Sequence, residues 1–189
     1  MTFLDTTLSH YKLNQFFYQE DMMEDFKTVR IEDFETQPLS ILRKEWGLLT
    51  AGTLEDFNMM TIGWGYFGTM WNKPVFGAVV RPNRHTYNYL EKNDLFTVSF
   101  FKNEYREKLE FCGTRSGRDV NKAFETGLKP IAKDGAICFE QAETILICKK
   151  ISFLDFKPEN FLDPAIIDNY PEKQFHRLFI GEVLKILKK

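Results

Sequence analysis

The sequence predicts a mainly β protein with peripheral helices, folded as an antiparallel barrel rather than a doubly wound parallel sheet. Three observations predict it. β-branched and aromatic runs follow one another from Leu48 onward with turn residues between them. Only residues 103–127 read as a substantially helical interruption. No helical pattern alternates regularly with the strands, as crossovers in a parallel sheet would require. With 43% hydrophobic residues in 189, the chain supplies one sizeable core. One domain is expected over residues 26–189, preceded by an extension over residues 1–25. The extension carries no sustained period and includes the acidic QEDMMED, so it is expected to be partly ordered at best.

WGLLTAGT, from Trp46 to Thr53, reads as the first strand, LEDFN as a polar turn, and MMTIGWGYF, from Met59 to Phe67, as the second strand. A connection containing Gly, Thr and Asn leads to KPVFGAVVR, whose run Val75–Val80 is apolar at nearly every position, as in a strand buried on both faces. Pro82 lacks the N–H that would extend it. RHTYNYLEK, residues 84–92, then reads as a short helix with Asn83 at its N-cap. LFTVSFF is the next strand. Residues 103–127 give a helix, a glycine-punctuated loop and a second short helix capped by Asp119 or Ser116. ICFEQAETILICKKISFLDF supplies two strands or one long bent one. Pro164 opens a helical turn. QFHRLFIGEVLKILK closes the chain with a strand in which Gly181 marks a bulge.

A formal charge of -2 gives no general polyanion-binding surface, so nucleic acid is not an expected partner and any anion site is local. No apolar segment is long enough to span a bilayer, and the N-terminus lacks the pattern of a signal peptide. Cys112, Cys138 and Cys148 form no CxxC pair, which points to reduced thiols and a cytoplasmic location, with Cys138 and Cys148 as core residues. Without HExxH, paired cysteines or an Asp-rich loop, no metal site is expected. Without a GxSxG elbow, and with histidines 10, 85 and 176 far from any recognisable Ser or Cys partner, nucleophilic catalysis is unsupported. GWG lies inside a β run with no helix after it, the wrong setting for a dinucleotide turn. Nineteen phenylalanines exceed the needs of packing and suit a partner subunit or a flat ligand.

Where VFGAVV leaves the sheet, proline, a small polar residue and a helix start coincide with Arg81 and Arg84. A helix N-terminus offers free N–H donors, and guanidinium groups offer forked ones, so a phosphate fits both. The competing reading pairs both arginines with surface carboxylates such as Glu91. Upstream, NMMTIGWGY combines Asn58, Thr61 and Trp64 with thioether groups of Met59 and Met60, a setting for a planar heterocycle with a polar edge. Its competitor is core packing.

In order along the chain, NMMTIGWG, KPV, RPNRHTY, FTVSF, CGTRSGRDV and HRLFIGEV resemble the flavin reductase-like family of FMN-binding split barrels, the flavoredoxin-type branch in particular. The resemblance covers about residues 26–187. It implies an antiparallel split β-barrel, a homodimer with FMN at or near the subunit interface, and transfer of hydride from NADH or NADPH to flavin, with a redox protein among the candidate acceptors. It also implies roles for individual residues. Asn58, Met59, Met60 and Thr61 line the isoalloxazine edge, and Trp64 and Gly65 let the strand run close to the ring. Arg81, Asn83, Arg84 and Thr86 approach the phosphate, and relatives often carry serine where Asn83 stands. Ser116, Gly117 and Arg118, with Asp119, lie near the flavin, and His176 takes the catalytic place where a nicotinamide stacks. A structural histidine and a capping loop remain the alternatives for His176 and residues 116–119. Helical spacing turns His85 toward solvent or a subunit contact. Two other functions stay open: an FMN-binding electron relay without nicotinamide activity, and a barrel that has lost flavin.

Overall fold

Leu48 and Leu49 are adjacent on one strand and both are fully buried. Adjacent side chains of a strand point to opposite faces, so this sheet is covered on both sides. The computed structural model describes residues 25–189; apart from Asp25, the expected N-terminal extension lies outside the described residues. The strands are β1 (Lys27–Val29), β2 (Gly47–Gly52), β3 (Phe57–Ile62), β4 (Gly65–Met70), β5 (Lys73–Val80), β6 (Leu95–Phe100), β7 (Pro130–Lys133), β8 (Ala136–Phe139), β9 (Thr144–Asp155) and β10 (Arg177–Lys188). Three helices carry the site: α1 (His85–Lys92), α2 (Arg106–Thr114) and α3 (Lys122–Thr126).

The main sheet runs β3-β2-β6-β9-β10-β5-β4, with β1 paired to the end of β10 that β5 leaves free. Every pairing is antiparallel. β3 and β4 are the two ends of this path, yet only Gly63 and Trp64 separate them in the chain. The sheet therefore curls so that its two edge strands are joined through this short link without pairing, the split-barrel arrangement that the family resemblance implied. MMTIGWGYF, expected as one strand, is two. Pairing with β2 ends at Ile62, opposite Gly47, and pairing with β5 begins at Gly65, opposite Ala78. One straight strand cannot serve both neighbours, so the chain turns at Gly63 and Trp64.

Alternation along the strands feeds two cores. Leu49, Met60, Phe76, Val98, Cys148 and Phe179 join Leu90 of α1 in one cluster. Leu48, Met59, Ile145 and Ile147 join Leu109 and Cys112 of α2 and the β7–β8 ribbon in the other. Val75–Ala78 and Val80 are buried, as expected for a strand covered on both faces. All three cysteines are free and buried, and burial pushes each thiol well above its usual range.

Turn chemistry sets the hairpins. Trp71 and Asn72 link β4 to β5, and Asp134 and Gly135 link β7 to β8, all four with positive φ, as in two-residue hairpin turns. The register shifts at Ile180/Gly181, as expected, and again between Val183 and Lys185. Pro164 opens the short 3-10 helix Pro164–Asn169, with the Asp163 carboxylate accepting from the Ala165 N–H. Residues 137–156 resolve into the end of β8, a turn, and β9. Both expected helix caps move. The Arg84 N–H donates to the Arg81 carbonyl, which draws Asn83 into a tight turn, so α1 begins at His85 with Arg84 in the cap position. The N–H groups of Asp119 and Val120 both turn back to the Ser116 carbonyl, and α3 is instead capped by Asn121, whose side chain accepts from the Phe124 N–H.

Gly65 was expected to admit the cofactor. The structure gives it a different necessity, because a Cβ there would lie 2.4 Å from the Gly77 carbonyl oxygen on β5. Backbone cannot step aside as a side chain can. Gly65→Ala is expected to destabilise the protein by about 1–3 kcal/mol, read as a lower urea midpoint at unchanged slope. An unchanged midpoint would show that β4 shifts without penalty.

Candidate functional site

Two adjoining clefts open where β3 ends and β5 gives way to α1. The first, about 240 Å³, is lined by Met60 to Trp64, Val79, Arg81, Arg84 and His176. The second, about 140 Å³, shares Met60 and Arg84 with it and adds Asn58, Asn83, His85, Thr86, Ser116, Gly117, Arg118 and Lys122. Of the residues that the resemblance placed about the flavin, only Met59, Gly65 and Asp119 line neither cleft. The fold gathers the rest because β3, the β5–α1 link and the loop after α2 all end at the same rim.

The first cleft has an aromatic wall and an ordered polar chain. Trp64 is 47% exposed despite its size, with its ring centroid 4.9 Å from that of His176. Such exposure is costly unless something flat covers the ring. His176 is buried, and both its nitrogens are engaged: Arg81 Nε donates to Nε2 at 3.3 Å, and Tyr170 Oη lies 2.8 Å from Nδ1. An arginine can only donate, so Nε2 accepts, and the neutral ring carries its proton on Nδ1, facing the tyrosine. Arg81 Nη2 reaches on to the Asn169 carbonyl at 2.9 Å. Burial first, then the charges of Arg81 and Arg84, lower the His176 pKa to about 4. His176 thus presents no free nitrogen to the cleft. Its bonded nitrogens hold Arg81 and the Tyr170 segment together.

That linkage has a measurable sign. The folded-state pKa of His176 lies below the ordinary 6.5, so its contribution to stability is fully present above 6.5 and is lost as pH falls toward about 4. Wild type is expected to lose its stability advantage over His176→Gln across that window in paired urea titrations. A constant difference would mean that the ring titrates alike in the folded and unfolded chains.

The second cleft is cationic. Arg84 Nη1 donates to the Gly113 carbonyl at 3.4 Å, and Arg118 Nη1 to the Asn83 carbonyl at 3.2 Å. Among the described residues, none of Arg81, Arg84 and Arg118 forms a salt bridge, and Glu91 pairs with Arg177 instead. The surface-pair reading of the arginines therefore lapses. Asn58 and Thr86 are both buried and bonded to each other, Asn58 Nδ2 donating to Thr86 Oγ1 at 2.8 Å. Gly117 passes so close that a Cβ on it would meet Asn58 Oδ1 at 2.0 Å. Among the described residues nothing donates to that Oδ1, leaving an acceptor at the wall of the cleft. Ser116 Oγ accepts from the Arg118 N–H at 3.2 Å, shaping the loop.

Two expected ring-edge residues are partly committed to the scaffold. The Thr61 hydroxyl donates to the Leu109 carbonyl of α2, and the Met59 side chain lies in a core cluster. Met60 lines both clefts. His85 corrects the sequence reading, since it is half-buried in the second cleft, packed edge-on to Tyr89 with Nδ1 buried and unpaired among the described residues. Burial, then Arg118 and Lys122, hold its pKa below the ordinary value. Lys122 was missed altogether. Its ammonium is buried and donates to the carbonyls of Met59 at 2.9 Å and Cys112 at 2.7 Å, and burial lowers its pKa to about 8. A third proton remains for the cleft. Nothing local in DVNKAFET marks that lysine, because its acceptors come from β3 and α2.

A rolled antiparallel sheet of this strand order defines a split-barrel fold, here with an exposed aromatic wall beside a cationic cleft that no carboxylate lines. Residues 43–188 match the flavin reductase like domain, and the chain belongs to that family. No curated protein matches it. Among solved structures, it is similar to flavoredoxin from Methanosarcina acetivorans at 20% identity and TM-score 0.62, over 86% of this chain and 76% of that one. It is similar to an FMN-binding protein from Thermus thermophilus with bound 1-cyclohex-2-enone at 20% identity and TM-score 0.59, over 84% and 79% of the two chains. The FMN-binding domain of a flavin reductases-like enzyme from Shewanella baltica aligns at 18% identity and TM-score 0.62, over 86% and 76%. At these identities the likeness is one of fold.

Proposed function

We propose that the protein binds FMN across the two clefts and uses it as an NAD(P)H-dependent oxidoreductase. The observation that carries this reading is the pair Arg84 and Arg118, without carboxylate partners among the described residues, beside the half-exposed Trp64. The residues present fit the group. Arg84, Arg118 and Ser116 suit a phosphate dianion, the Asn58 Oδ1 and Lys122 supply an acceptor and a donor to a polar heterocycle edge, and Trp64 supplies a ring face. FMN, when bound, supplies the hydride-accepting centre. The chain's own part is alignment and electrostatics: Trp64 covers the first cleft, His176 fixes Arg81, and Lys122 holds positive charge near the buried wall. No strong general base is required, which accords with a neutral, fully bonded His176.

One relative of the same fold, an NADH:FAD oxidoreductase from Streptomyces globisporus, supports the donor, and another, the flavin reductase of a styrene monooxygenase from Pseudomonas putida, supports flavin reduction. A homodimer and a cytoplasmic location belong to the same reading. The test is the visible spectrum. Protein incubated with FMN and desalted is expected to stay yellow and to bleach anaerobically with NADH or NADPH. Colourless protein overturns the flavin reading, and a yellow protein that neither nucleotide bleaches is the electron relay instead.

A further inference from the structure

Arg81 was expected beside the phosphate, yet it lines the first cleft and not the second, so it stands at the ring end of the site. Its guanidinium is fixed from two sides: Nε donates to His176 Nε2 at 3.3 Å, and Nη2 to the Asn169 carbonyl at 2.9 Å. Cζ also lies 5.8 Å from the Tyr170 ring centroid, within cation–π reach. Among the described residues nothing accepts from Nη1, and no carboxylate pairs with the group. The rest of the cleft offers no counter-charge. Thr61 commits its proton to the Leu109 carbonyl, His176 has both nitrogens bonded, and Arg84 adds a second cation. A cation held this firmly, with no anion beside it, is matched to negative charge that a ligand brings or develops.

We propose that Arg81 is the charge partner of the reduced flavin ring, so that the protein holds reduced FMN more tightly than oxidised FMN and works with a resident flavin. The proposal rests on the flavin reading of the two clefts. Hydride transfer from NADH or NADPH places two electrons and one proton on the ring at N5, and the single negative charge left over settles on N1 and O2. A guanidinium at the ring end attracts that charge and interacts far less with the neutral oxidised ring. Binding that differs between two states shifts the equilibrium between them by the same factor. Fixation matters as much as charge, because a side chain already held by His176 and Asn169 does not reorganise when the charge appears. The charged groups facing the cleft have one sign: Arg81 just after β5 and Arg84 just before α1. His176, just before β10, is kept neutral by burial and then by these two cations. Electrons then leave through an acceptor that comes to the cleft, not by release of reduced FMN.

The experiment measures the two-electron midpoint potential of FMN, and of saturating riboflavin, bound to the full chain and free in the same buffer. Wild type is expected to bind reduced FMN at least about tenfold tighter than oxidised FMN, which places the bound potential about 30 mV or more above that of free FMN. Riboflavin is expected to show the same preference, because the effect acts on the ring and not on the phosphate. Arg81→Gln, which keeps a donor for His176 and removes the charge, is expected to lose most of it. Anaerobic desalting of the reduced protein is expected to leave the flavin bound. A wild-type potential at or below that of free FMN, or reduced FMN lost on desalting, overturns the proposal and leaves the flavin reading standing. A preference that riboflavin lacks, or that survives in Arg81→Gln, overturns it as well, since the charge then acts at the phosphate or from another residue. If Arg81→Gln does not fold, the two flavins on wild type decide the matter. Protein that retains no flavin in either state overturns both readings.

Discussion

Arg84→Ala is expected to lower the affinity for FMN by about 10- to 100-fold and to leave riboflavin affinity nearly unchanged, because hydrogen bonds to a charged group contribute about 1.5–3 kcal/mol. Arg84 borders both clefts, makes one long hydrogen bond of 3.4 Å to Gly113, and has no carboxylate partner among the described residues. Its guanidinium is therefore available to a phosphate at little cost to the scaffold. Riboflavin lacks that phosphate. Arg81→Ala acts on different structure: it frees His176 Nε2 and the Asn169 carbonyl, so both ligands are expected to weaken together. Fluorescence titration of each variant with each ligand separates the cases. Equal losses of FMN and riboflavin in Arg84→Ala would make that arginine a scaffold residue and move the phosphate elsewhere.

Lys122→Met is expected to cost about 2 kcal/mol or more of stability at neutral pH, along with flavin affinity. The variant leaves the carbonyls of Met59 and Cys112 without their donor, and a buried acceptor without a partner costs about 1–3 kcal/mol. Relief from burying an ammonium offsets part of that cost. The two effects separate with pH. In the folded protein the Lys122 pKa is lowered from 10.5 to about 8, so the unfolded chain holds more protons between those values, and wild-type stability rises with pH across that window. Methionine does not titrate, so the deficit of Lys122→Met is expected to widen from pH 8 toward 10.5. Chemical denaturation of both proteins over this range measures it. A deficit that stays flat would mean that the ammonium is solvated in the folded state.

Much of the fold was legible because its signals are short in range. The apolar run Val75–Val80, the stop at Pro82, the turn at Pro164 and the bulge at Gly181 each depend on a few neighbouring residues, and each stands where it was expected. Asp134–Gly135 carried the same kind of signal for the β7–β8 hairpin, although the sequence reading passed over it. The helix caps were misplaced by short distances, because Asn83 and Ser116 sit in turns that compete for their backbone. The split of MMTIGWGYF was less accessible. Its two halves look alike as β sequence, and they differ only in their neighbours, β2 for one and β5 for the other.

The candidate site divides along the same line. Residue types and their order along the chain determined by themselves the class of fold and the family, and singled out Arg84 and Trp64 as the candidate anion and ring contacts. Tertiary structure alone decided how those residues are committed. Lys122 meets a carbonyl 63 positions away, Arg81 meets His176 across 95, and Asn58 meets Thr86 across 28. Period and turn chemistry act over one or two turns of chain, whereas the burial and bonding of a polar group depend on which distant elements close over it. No local pattern encodes that closure, so nothing in the sequence marks the buried ammonium of Lys122 or the bonded ring nitrogens of His176.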